Sequence, residues 1–117
     1  MDQPSHYEFL GASSMALASI AEERHRQVVG YDFGQARDDG YERGELLRAA
    51  DTYLAAGAME RITEAAVSRL ASRWPWHQSS LKLGDRRRNL VKAAALIVAE
   101  IERLDRASAA IETETGR

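Results

Sequence analysis

The stretch DRRRNLVKAAALIVAEIERLDR, residues 85–106, decides the fold. Leu90, Ala94, Ile97, Ile101 and Leu104 recur in it at spacings of four, three, four and three, which predicts one apolar face of a long helix. Asp85 stands where an N-cap is wanted. Val91, Ala95 and Val98 add a second apolar strip beside the first, so the helix is expected to be touched on two sides. One side belongs to the protein's own core. The other suits a second subunit, approached closely over Ala93, Ala94 and Ala95, or a neighbouring helix if this is the central helix of a monomeric bundle. Of these, a homo-oligomer is the expectation carried forward.

Outward from that helix the chain stays helical. Prolines occur only at 4 and 75, and the residues between them are rich in Ala, Leu, Glu and Arg without strand-like alternation. A first helix is expected over 13–29, capped by Ser13 or Ser14, with Leu17, Ile20 and Ala21 inward. A short turn or helix is expected around Tyr7, Phe9 and Leu10, and a loop over 30–44. The second helix is predicted over 45–56 with Leu46, Leu47, Ala50, Tyr53 and Leu54 on one face. The third is predicted over 58–73 with Met59, Ile62, Ala66 and Leu70 inward, stopped by Pro75. A second loop spans 74–84. The expectation is a single all-α domain over 1–117, a compact bundle of about four helices, frayed at 1–12 and 108–117.

Composition removes several function classes. The absence of cysteine excludes disulfide scaffolds and thiolate metal sites. No apolar run reaches membrane-spanning length and no basic-then-apolar leader opens the sequence, so no membrane partner is expected. The formal net charge is −2, yet residues 73–92 carry a net +5 and the rest of the chain −7. A bulk nucleic acid would be repelled by most of such a surface, whereas a small anion docking at one spot would not.

The residues with chemistry in them gather in the two loops. In the first, Tyr31 and Phe33 sit between Gly30 and Gly34, followed by Arg37, Asp38 and Asp39. Aromatic faces stack on flat rings, and carboxylates accept hydrogen bonds from hydroxyls or exocyclic amines. The same residues equally suit a core plug and a turn. In the second, Trp74-Pro75-Trp76-His77 forms a rigid apolar corner, followed by Lys82 and then Arg86, Arg87 and Arg88 in the first turn of the last helix. Cations there oppose the helix dipole at a cost on the order of a few tenths of a kcal/mol each. An anion at the helix N-terminus would offset that cost, and guanidinium forks match phosphate. Internal pairing with Asp85, Glu42 or Glu45 is the competing reading. On the first, the arginines matter for binding and little for stability, and one or two of the three face a pocket, since helix neighbours turn about 100° apart.

Catalytic signatures are poor. There is no phosphate loop and no Gly-x-Gly-x-x-Gly, and His6, His25 and His77 have no metal-ligand spacing. No cofactor is expected. Glu22 and Glu23 with Glu102 and Asp105 resemble the magnesium carboxylates of MazG-type nucleotide pyrophosphohydrolases. Glu102-x-x-Asp105 fits the second motif of that family, while Arg26 and Gln27 stand where a third acid should follow Glu22-Glu23.

Gly30, Tyr31, Phe33, Gly34, Arg37, Asp38 and Asp39 fall in register with the Gly-Trp-x-Tyr-Gly-x-x-Arg-Asp-Asp of ryanodine-receptor-type (RyR) domains, with Tyr31 for Trp and Phe33 for Tyr. The helix over 20–29 is similar in placement, and Asp85-Arg86 with Val91-Lys92 resembles that family's closing helix. Its His-Pro and Leu-Val-Pro-Tyr segments are absent here. The chain also resembles small bacteriophage and prophage proteins, through the blocks 23–27, 44–46, 74–76, 87–93 and 99–106. Together the resemblances imply a phage accessory protein in the host cytoplasm that sequesters a nucleotide signal of host immunity without turning it over. In that reading Arg86, Arg87, Arg88 and Lys82 hold phosphates, Tyr31, Phe33, Trp74 or Trp76 stack on the base, and Arg37, Asp38 and Asp39 line the site. The alternatives are an inhibitor that docks on a host defence protein or nuclease, and the magnesium-dependent pyrophosphohydrolase.

Overall fold

A computed structural model describes residues 14–29 and 34–115, with the side chains at 34–36, 114 and 115 outside the description. The described residues form five α-helices: α1 Met15–Val29, α2 Gly34–Asp39, α3 Glu45–Gly57, α4 Glu64–Arg73 and α5 Arg86–Thr115, with a 3-10 turn at Gln78–Ser80. The fold is all-α, and the long α5 packs against α3 and α1. No described helix is long and apolar enough to cross a membrane.

The α3–α5 contact is the centre of the core. Leu46, Ala49, Ala50 and Tyr53 of α3 meet Ala93, Leu96 and Ala99 of α5, with Trp74 closing one end. Alanine at so many facing positions lets the two backbones approach closely. Gly57 marks the tightest point, since a Cβ there would lie 2.6 Å from Leu90 Cδ2. Ala66 and Leu70 bury α4 against α3.

The start of α5 is fixed by two short side chains. Asp85 Oδ1 accepts from the Arg88 N–H at 2.7 Å, the N-cap expected of it. The fully buried Asn89 closes the other side, accepting from the Gly84 N–H at 2.8 Å and donating to the Gly84 carbonyl at 2.9 Å. A Cβ on Gly84 would meet Arg88 Cγ at 3.0 Å, so a side chain there would press on the first turn of α5.

Several sequence expectations are corrected. The loop predicted over 30–44 contains helix α2. The third helix begins not at 58 but at Glu64, because the Thr63 hydroxyl accepts from the Ala66 N–H at 3.2 Å and starts a new helix there. Leu47 and Leu54 are not in the core: they lie 100° round α3 from Leu46 and Tyr53 and are about half exposed. Of the two apolar strips expected on α5, neither of which the sequence assigns to the core, Val91, Ala95 and Val98 face inward and Leu90, Ile97, Ile101 and Leu104 face out. The polar tail expected to fray from residue 108 continues α5 to Thr115. On α1, capped by Ser14, the buried residues are Glu23 and Arg24, whereas Leu17 and Ala21 are exposed and Ile20 half-buried. The segment around Tyr7, Phe9 and Leu10 lies outside the described residues.

Asn89→Ala leaves the Gly84 N–H and carbonyl without partners beside the core. A urea unfolding curve should show a loss of about 2 kcal/mol with an unchanged m-value.

Candidate functional site

The second loop is held rigid by its own polar groups. Trp74 Nε1 donates to Ser80 Oγ at 2.9 Å, and Ser80 Oγ donates to the His77 carbonyl at 2.6 Å. The Lys82 N–H donates to Tyr53 Oη at 3.0 Å, which ties the loop to α3. Four rings then touch in a chain. Tyr53 meets Trp74 edge-on at 5.4 Å between centroids, Trp74 meets Trp76 edge-on at 5.2 Å, and Trp76 meets Tyr41 at 5.0 Å. Such tilted arrangements are the favoured geometry of aromatic pairs.

These rings form one wall of a cavity of about 190 Å³. Leu46 and Leu96 supply its apolar floor, Glu23 and Gln27 of α1 face the rings, and Arg37 and Asp38 of α2, with Lys82 and Lys92, bring charge to it. Several of these charged groups are held by neighbours. Arg37 stacks on Tyr41 at 5.8 Å and its Nε donates to the Tyr41 hydroxyl. Lys92 Nζ donates to the Lys82 carbonyl at 2.5 Å and sits 5.2 Å above the Tyr53 ring. Arg24 bridges Asp38 at 3.0 Å and Glu102 at 2.5 Å, joining α1, α2 and α5. Glu23, almost wholly buried, is paired with Arg88 at 2.5 Å and Arg26 at 3.4 Å.

Burial pushes the Asp38 carboxyl up against the opposing pull of Arg24. Burial also pushes the Lys92 ammonium down. Arg88, Arg26 and Lys82 add to that shift and Glu23 resists it. Among the described residues one buried side-chain polar atom has no partner: the indole Nε1 of Trp76, in the cavity wall. A buried donor left without an acceptor costs about 1–3 kcal/mol, so an acceptor brought in by a ligand would be favoured there.

Of the residues singled out in the sequence, Arg37, Asp38, Trp74, Trp76 and Lys82 converge on this cavity. Tyr31 and Phe33 lie outside the described residues. Asp39 points away and pairs with Arg106 at 2.8 Å. The arginine cluster does not gather round a pocket. Arg86 Nε donates to the Gly57 carbonyl at 3.1 Å, capping the end of α3, and Arg87 donates to Ser19 Oγ at 3.0 Å. Arg88 turns to Glu23, so the internal partner is an α1 carboxylate rather than Asp85, Glu42 or Glu45. The 100° steps of the helix send the three guanidiniums to three different neighbours. The expectation that the cluster adds little to stability is therefore revised for Arg88.

Among the polar and aromatic lining residues, Gln27, Tyr41, Tyr53, Ser80 and Lys92 are not candidates the sequence singled out for this site, and Glu23 was weighed only as a magnesium ligand. Tyr53 lies on the core face of α3, as its spacing predicts, and its ring also contributes to the cavity wall. The acids considered for magnesium are not brought together. Glu23 and Glu102 are each engaged by a guanidinium, and no group of three or more His, Asp or Glu among the described residues could hold a metal ion. No family model, curated protein or solved structure matches the chain.

Removing Arg88 leaves a buried carboxylate with only the longer contact to Arg26. Arg88→Ala should lower the unfolding free energy by about 2–4 kcal/mol. Arg87→Ala, which gives up one exposed bond, should stay within roughly 0.5 kcal/mol. Equal losses in the two variants would contradict the pairing.

Proposed function

We propose that the protein is a non-catalytic binder of a small phosphate-bearing nucleotide, taken up base-first among Tyr41, Tyr53, Trp74 and Trp76. The observation that carries this reading is the partnerless Nε1 of Trp76 in an aromatic wall, with Arg37 and Lys92 on the same cavity. The volume supports one flat ring system. It exceeds the roughly 150 Å³ that accepts a benzene ring, and falls short of the roughly 300 Å³ at which whole drug-sized ligands are enclosed. The sugar and phosphates therefore stay at the mouth, where Lys82 and Lys92 supply positive charge. Stacking on such rings contributes about 1–3 kcal/mol per base, and a base nitrogen or carbonyl satisfies the indole. The biological use proposed for this binding is the removal, by a phage accessory protein in the host cytoplasm, of a nucleotide signal of host immunity. It rests on the sequence resemblances of residues 30–39 to RyR-type domains and of five blocks to phage proteins.

Both tryptophans of the chain belong to the cavity wall, so intrinsic fluorescence reports on it directly. Titration with cyclic dinucleotides, ADP-ribose derivatives and nucleoside monophosphates should quench that emission for at least one class. Trp76→Phe keeps a ring and removes the donor, and should weaken binding roughly five- to tenfold. Emission unchanged by every compound at millimolar concentration overturns the reading.

Lys92 gives the binding a pH dependence. Its proton is held less tightly than the usual 10.5 of lysine, so affinity for an anion should fall as pH rises through a range where an ordinary lysine is still charged. The sign for stability is opposite. The unfolded chain keeps the proton up to about 10.5, so between the lowered value and 10.5 the folding contribution of Lys92 grows with pH. Lys92→Gln should flatten the alkaline limb of the affinity profile. A limb of the same steepness in that variant would assign it to another group.

A further inference from the structure

The face of the α3–α5 pair opposite the cavity carries an apolar surface that the chain does not cover. On α5, Leu90, Ile97, Ile101 and Leu104 are 42, 42, 52 and 51% exposed. They share one side of the helix, with the half-buried Ala94 among them. On α3, Leu47 and Leu54 are 47 and 50% exposed. Their direction follows from the residues beside them. Tyr53 turns toward Lys92 on the cavity side, and Gly57 meets Leu90 on the other. Leu54 is 100° on from Tyr53, which brings it round to the Leu90 side, and Leu47 lies two turns earlier on the same line. Six large aliphatic side chains, each about half exposed, reach the roughly 300–600 Å² of the largest patches monomers carry.

The charges at the two ends of this strip say what covers it. Arg87 and Asp105 are both exposed and stand 18 residues apart, about five full turns, so they lie on the same flank of α5. They are equally far from residue 96, and the apolar residues run from Leu90 to Leu104 about nearly the same midpoint. Asp105 makes no ion pair among the described residues, and the Arg87 bond to Ser19 is to a neutral hydroxyl.

We propose that a second copy of this chain covers the strip, α5 against α5 in antiparallel orientation about a two-fold axis near residue 96. The axis lies across the helices in the plane of the interface, so each flank meets the same flank of the other copy. Leu90 then faces Leu104 of the second copy, Arg87 faces Asp105 of the second copy, and both contacts occur twice. A parallel pairing would leave Arg87 and the second copy's Asp105 at opposite ends of the strip, about 27 Å apart. The α3 helices flank the seam through Leu47 and Leu54, giving a four-helix arrangement whose apolar centre, with a polar rim around it, suits the roughly 800 Å² per partner of a standard interface. The cavities lie on the outer faces of this dimer, away from the seam.

The test is the mass in solution by sedimentation equilibrium, together with circular dichroism. The chain mass is 13.0 kDa, so the wild type should sediment at about twice that value. Ile97→Glu should be a helical monomer. Arg87→Glu should weaken dimerisation roughly tenfold, and adding Asp105→Arg should restore it, because the pair is then exchanged rather than lost. The exchange involves two exposed side chains, so it reads the interface even if Ile97→Glu fails to fold. A wild-type mass of 13 kDa at 100 µM, whatever covers the strip in its place, overturns the proposal. So does a dimer that survives Ile97→Glu, or a failure of the exchanged pair to recover what Arg87→Glu loses.

Discussion

Two adjacent charges on one helix, Glu23 and Arg24, are buried where an amphipathic helix would place leucines. Neither is tolerable alone at that depth, since an uncompensated buried charge costs several kcal/mol. Arg88 answers the first, and Asp38 with Glu102 answers the second. Helix α1 is therefore docked by directional ion pairs rather than by apolar burial. The same pairs set where α2 lies, because Arg24 holds Asp38. The far wall of the cavity, made by Glu23, Gln27, Arg37 and Asp38, exists because that dyad has been satisfied. A helix docked by greasy side chains would have closed the space over Leu96 and the tryptophans.

The near wall has the opposite chemistry. Trp74, Tyr53 and Tyr41 belong to the α3–α5 core or pack on it, and the loop from Trp74 to Leu83 is pinned by hydrogen bonds among Trp74, His77, Ser80, Lys82 and Tyr53. The cavity is thus a seam between an apolar body and a charged strap. It sets flat rings on one side of the space and the charges of Glu23, Arg37 and Asp38 on the other. It also leaves Trp76 Nε1 in a wall that offers it no acceptor.

The fold was legible in the sequence wherever apolar spacing was regular. The spacings along α5, the Asp85 cap and the Leu46, Ala50 and Tyr53 face of α3 predict the helices and the inward side of α3, but not which strip of α5 meets it. Reading failed where polar groups decide. Thr63 looked like one more residue of a longer helix, yet its hydroxyl starts a new one. The sequence suggests Glu23 only as one of four acids for magnesium and says nothing of Arg24, because periodicity registers only apolar inward faces and cannot show that a partner for Glu23 waits 65 residues further on. The same blindness misdirected the arginines. The helix spacing predicts that one or two of the three face a pocket, but Glu23 and the Gly57 carbonyl claim Arg88 and Arg86 separately. Arg37, Asp38, Trp74, Trp76 and Lys82 were nevertheless visible, because both loops concentrate aromatic and charged side chains between helices.

The central claim is that the indole of Trp76 receives its acceptor from a bound nucleotide. Nitrogen-15-labelled protein gives two indole N–H signals, one for each tryptophan. The Trp74 indole is already bonded to Ser80 and serves as an internal reference. Titrated with the nucleotide that quenches fluorescence most strongly, the Trp76 indole proton should move downfield while that of Trp74 stays nearly still. A saturable shift of Trp74 with Trp76 unmoved, or no shift in either while quenching persists, would contradict the account.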